Sequence, residues 1–121
     1  MPMPKKKRER LHQIHRWLQD QFPAPYKTEL KVVQIGPSGR PPSPQGDCAR
    51  VGRKMLIRVD RRLPWAVAID TLIHEYAHGY VWEAPSIEDT REHHGSEWGV
   101  AYAKIYQAFY DNEGWQESRE F

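Results

Sequence analysis

The chain has a single cysteine, Cys48, in 121 residues. That excludes an intrachain disulfide and a zinc ribbon built from paired cysteines. No apolar run approaches the roughly 20 residues needed to span a bilayer. The basic N-terminus is not followed by the apolar stretch of a secretory leader, so a cytoplasmic protein is expected, or a nuclear one in a eukaryote. No internal repeat and no compositional break marks a second domain, and a single domain over 1–121, monomeric, is expected. Net charge is small, at +2, but unevenly placed: residues 1–16 carry +5, residues 17–82 carry +3 and residues 83–121 carry −6. The surface should be polarised. Aromatics, by contrast, are plentiful, with five Trp, six Tyr and three Phe. That is enough for a modest core.

Residues 1–7 read as a basic arm outside regular structure. Lys5, Lys6, Lys7, Arg8 and Arg10 form a dense cationic run, a candidate contact for DNA phosphate or an import signal. Cations at a helix N-terminus oppose the macrodipole, so the run should lie outside the helix or meet an anion. From Arg8 to Gln21, Leu11, Ile14 and Leu18 recur at helical spacing, with Trp17 beside them. His12 and His15 on this helix read as surface residues. Pro23 and Pro25 end it.

Leu30 to Ile35 alternates and reads as a strand. Gly36 to Arg50, with four Pro and three Gly, reads as a long loop on the rim of a substrate site. Val51 to Asp60 reads as a second strand, with Met55, Ile57 and Val59 on one face. It would pair with the first strand directly or through a short third one, and an exposed edge could hold a peptide. Pro64 opens a helix that runs to about Trp82. Glu83 to Glu92 is acidic and irregular. Ser96 to Tyr110 forms the last helix, with Trp98, Ala101, Tyr102, Ile105 and Phe109 as its apolar stripe. Gly114 marks its end, and the tail over 115–121 is loose. The fold class is α+β, with a short, mainly antiparallel sheet.

The chemistry concentrates at His74-Glu75-Tyr76-Ala77-His78, an H-E-x-x-H pattern. Random placement of this chain's His and Glu would produce it only about 0.02 times. On a helix His78 falls about 40° from His74 and Glu75 about 100° away, so both imidazoles reach one point. Trp65, Ile69, Leu72, Ile73, Tyr76, Ala77 and Tyr80 take the opposite arc. Two imidazoles suit Zn²⁺, and the intervening Glu is placed to act as general base. A catalytic site needs a third ligand from another element. His94, in Glu92-His93-His94-Gly95-Ser96-Glu97-Trp98-Gly99, is well placed. His93 is its close rival, and Glu88, Glu92 and Glu97 are weaker ones. Tyr80, Tyr102 and the loop over 36–50 are unassigned candidates for a second oxyanion donor.

H-E-x-x-H on a helix, then a short acidic loop, then H-G-x-x-W opening another helix, resembles the SprT-like zinc metallopeptidases. Their Spartan members degrade proteins crosslinked to DNA. The matching residues are His74, Glu75, His78, His94, Gly95 and Trp98, with Asp70-Thr71-Leu72-Ile73 ahead of them. The likeness spans roughly Leu30 to Phe109. It implies a small zincin-like domain, with zinc on His74, His78 and His94, Glu75 as the base and a protein or peptide substrate. It favours His94 over His93, because the family's ligand directly precedes the Gly. Several members carry a cysteine ribbon for DNA, which this chain cannot form.

Overall fold

The computed structural model describes residues 3–38, 43–82 and 95–112. The order of elements is α1 (Lys5–Gln21), β1 (Lys27–Val33), β2 (Gly46–Val51), β3 (Lys54–Asp60), α2 (Trp65–Tyr80) and α3 (Ser96–Asp111). The protein is α+β, with a sheet in the order β1-β3-β2. The sheet is mixed rather than mainly antiparallel. Leu30 of β1 lies opposite Ile57 in a parallel ladder, and Cys48 of β2 lies opposite the same residue in an antiparallel one. The cause is topological. β2 and β3 form a hairpin, and the segment after β1 crosses the end of β3 to begin β2 on its far side.

Strand β2 lies within the stretch expected to be a loop, and the expected single strand over 51–60 is a turn followed by β3. Gly52 makes that turn with φ 63°, the positive value a two-residue hairpin loop requires. The sequence Gly-Asp-Cys-Ala-Arg-Val has little strand propensity. It is held by its ladder with β3 and by burial of Cys48. Thr28, Leu30, Cys48, Met55, Ile57 and Val59 are the buried face of the sheet, under the helices.

One carboxylate at the end of β3 pins the chain just after β1. Asp60 is fully buried. It accepts hydrogen bonds from the amides of Ile35 (2.9 Å) and Arg62 (2.8 Å) and from the Arg62 guanidinium (2.7 Å). Burial alone would raise its pKa, but these donors outweigh it and hold the carboxyl down at about 2. Arg62 in turn donates to the carbonyls of Ile35, Gly36 and Pro37 at 2.9–3.0 Å. Gln45 O accepts from the Asp60 amide at 2.8 Å. Both ends of the crossover are therefore tied to the end of β3.

The basic run is not an arm. Helix α1 starts at Lys5, and Met3 is buried with its amide donating to Arg61 O at 2.7 Å. Pro4 is tolerated there because the amide it lacks would have no helical partner. The first turn holds no acid, and the neighbouring pair Lys5–Glu9 is exposed at 4.0 Å. Lys5, Lys6, Lys7 and Arg8 thus oppose the helix dipole from within.

His15 is likewise not on the surface. It is buried, with Nε2 2.8 Å from the Thr28 hydroxyl. Gln19 donates to the same hydroxyl oxygen at 3.0 Å. That leaves the Thr28 proton for His15 Nε2, a pairing that suits the neutral imidazole. Burial, reinforced by His12 and Arg16, depresses the His15 pKa to about 4. The folded state therefore disfavours a proton that the unfolded chain accepts near pH 6.5. Stability is intact above pH 6.5 and falls as pH drops towards 4, by about 3 kcal/mol. Urea melts at pH 7.5 and pH 4.5 should show this loss, and His15→Gln should flatten the slope over that interval.

Helix α2 is enclosed on nearly every side. Trp65, Ala68, Ile69, Leu72, Ile73, Tyr76 and Ala77 pack into the core, as the wheel requires. Tyr76 anchors it, donating from its hydroxyl to Phe22 O at 2.6 Å. Helix α3 buries Ala101, Ile105 and Phe109. Phe109 meets Trp17 of α1 edge-on at 6.0 Å. Among the described residues no helix is long and apolar enough to cross a membrane.

Candidate metal centre

His74, Glu75 and His78 sit together on α2. Each offers a ligand atom, and these atoms all lie within 4.8 Å of one another. The two imidazoles are 5.0 Å apart between centroids, and Glu75 Oε2 is 3.8 Å from His74 Nε2. Glu75 and His78 are buried, while the His74 side chain is 29% exposed. A second helix holds the rings in place. Trp98 of α3 stacks on His78 at 5.1 Å and 20°, and its indole N–H donates to His74 O at 3.3 Å. Tyr102, one turn further on, meets the His74 ring edge-on at 5.9 Å and donates from its hydroxyl to Asp70. Burial and the Asp70 carboxylate both push the Tyr102 phenol pKa up, so it stays a donor at neutral pH.

A cleft of about 550 Å³ opens beside this group. One wall is Pro44, Gln45, Gly46 and Asp47, where the crossover enters β2. The other is Asp70, Thr71, His74 and Glu75 of α2. Gly46 sets how closely the walls approach. A Cβ there would stand 2.5 Å from Thr71 Cγ2, 2.8 Å from Arg58 O and 3.4 Å from Glu75 Cγ. No larger residue fits without moving backbone. Asp47 is tied to Arg58 by a forked ion pair across the ladder. β2 is an edge strand, its outer backbone edge unpaired by any other strand among the described residues.

The structure thus brings together His74, Glu75 and His78. His94 lies outside the described residues, as do His93, Glu88 and Glu92. Glu97 is described but exposed in the first turn of α3 and apart from the metal-capable group. Cys48 is buried in β2. Tyr76 faces the core. Sequence reasoning missed Gly46 and the Asp70–Tyr102 pair. The pair had a signal, since Trp98, Tyr102, Tyr106 and Tyr110 recur every four residues and form a continuous ladder of rings. Gly46 had none, because its neighbours come from α2 and β3.

Comparison with family models, with curated proteins and with solved structures returns no match.

Proposed function

We propose that this chain is a zinc-dependent endopeptidase of the SprT-like kind. The observation that carries the reading is the grouping of His74, Glu75 and His78 on one helix face, with His74 and Glu75 lining a cleft whose opposite wall is the start of the edge strand β2. The donor set fits zinc: two imidazoles from one helix face, with a carboxylate between them in sequence. His94 is the proposed third ligand, on the strength of the motif. When bound, zinc supplies Lewis acidity towards a carbonyl oxygen and acidifies a coordinated water. Glu75 takes a proton from the attacking water and returns it to the leaving amine. Its burial keeps bulk water from competing for that proton. Trp98 fixes both imidazoles, and β2 offers backbone donors and acceptors to an extended peptide laid against it.

The substrate is a protein or peptide. Action on DNA-associated proteins is part of the proposal, and the four cations in the opening turns of α1 support it, since a phosphate there would relieve their conflict with the dipole. That contact should weaken steeply with salt. The same cations favour a second reading, a nucleic-acid-binding module in which zinc is only structural. Metal removal decides between them. Elemental analysis should find about one zinc per chain, lost in His74→Ala and in His94→Ala. Cleavage of an unfolded protein should stop with 1,10-phenanthroline and return with added zinc. Turnover that survives chelation would sink the peptidase reading. Zinc without turnover, in a chain that still binds DNA, would establish the second.

A further inference from the structure

His74, His78 and Glu75 account for attack on a peptide bond, but the carbonyl oxygen that becomes charged also needs a hydrogen-bond donor. Three tyrosines lie near the metal helix. Tyr76 is committed to Phe22 O in the core. Tyr80 packs edge-on against Phe22 at 6.0 Å and lines a different groove, with Val100 and Lys104. Tyr102 differs from both. Its hydroxyl reaches Asp70, which lines the same cleft as His74 and Glu75, one helical turn before His74. That hydrogen bond is exposed, so water can take the hydroxyl's place on the carboxylate when it swings away. The ring itself is held, between Trp98 at 5.1 Å and Tyr106 at 5.8 Å, and against His74. A fixed ring, with an exchangeable hydroxyl bonded to a residue of the cleft wall, is the arrangement an oxyanion donor needs.

We infer that Tyr102 is a catalytic residue of this site: seated on Asp70 in the free protein, its hydroxyl turns to the scissile carbonyl oxygen and donates a hydrogen bond to it as charge develops. Asp70 is a positioning residue that parks and aims the hydroxyl. No proton leaves Tyr102, so the single proton carried by Glu75 still balances the reaction. The inference rests on the metallopeptidase reading and extends it by one residue.

The test is Tyr102→Phe in the full chain with zinc loaded, assayed on a peptide substrate. The variant keeps the ring and every aromatic contact. The expected result is a fall in kcat of about 10²-fold, with KM, zinc content and melting temperature unchanged. A phosphinic peptide, which mimics the tetrahedral state, should lose affinity by the same factor. Tyr106→Phe, in the same ladder but away from the cleft, should behave as wild type. If wild type is active, Glu75→Gln is dead and Tyr102→Phe matches wild type, Tyr102 is not the donor and the metal site stands. A loss of activity in step with lost zinc would make Tyr102 structural and overturn the inference too. A zinc-loaded wild type without turnover would remove the enzyme reading itself, and the Tyr102 role with it.

Discussion

Glu75→Gln is expected to retain zinc, fold as well as wild type and lose peptidase turnover by about 10²–10⁴-fold, the contribution of a positioned general base. The structure makes this a clean substitution. Glu75 is buried, with Cγ 3.4 Å from where a Cβ on Gly46 would stand. Glutamine has the same length and shape, so the packing between α2 and β2 survives. What disappears is the carboxylate's basicity. An alanine would be ambiguous, because it would open a void under Gly46 and let the cleft wall settle. The measurement is turnover per bound zinc, with zinc counted in the same sample. Turnover equal to wild type would take Glu75 out of the mechanism. Loss of zinc in the glutamine variant would mean that the carboxylate is a ligand rather than a base.

Asp60→Ala should cost about 3–5 kcal/mol of stability, the usual penalty for breaking a buried pair from one side. That is a large part of the 5–15 kcal/mol that holds a typical domain together, and it should lower the melting temperature by roughly 10 °C or more. The reason is the number of groups that share one carboxylate. Its removal strands the amides of Ile35 and Arg62 and leaves a guanidinium, 20% exposed, facing only carbonyls. Chemical denaturation of Asp60→Ala, Arg62→Ala and the double variant gives the coupling directly. A coupling near zero would show that the two residues do not act as a unit. The loss should also reach the cleft, since Asp60 and Arg62 hold Ile35, Gly36 and Pro37, where the connection from β1 to the cleft wall begins. Residual activity per folded molecule in Asp60→Ala should fall although the residue belongs to neither the His74–Glu75–His78 group nor the cleft lining.

The regular periods were readable in advance. Leu11, Ile14 and Leu18 announced α1, and the apolar arc from Trp65 to Tyr80 announced α2 and placed His74, Glu75 and His78 on its other side. From the sequence His15 reads as a polar surface residue, although position 15 completes the stripe formed by 11, 14 and 18 and is buried. Its polarity is satisfied only by Thr28, a partner from another element that local pattern does not reveal. Strand β2 was illegible for a similar reason, because its register comes from β3 and not from its own six residues. The parallel ladder of β1 and β3 was hidden with it, since an unrecognised strand removes the hairpin that orders the sheet. Charge repulsion in the first turn of α1 argued for an arm. The buried Met3 and its bond to Arg61 outweigh that repulsion and start the helix early.

Gly46 has a bearing on how this site could be retuned. With no room for a side chain at that position, the proposed peptidase could not have its selectivity adjusted there by selection or by design. The adjustable positions are its neighbours, Gln45 and Asp47, which line the same wall and carry side chains. A library that varies those two while leaving Gly46 fixed should change which sequences are cut without disturbing the carboxylate beneath.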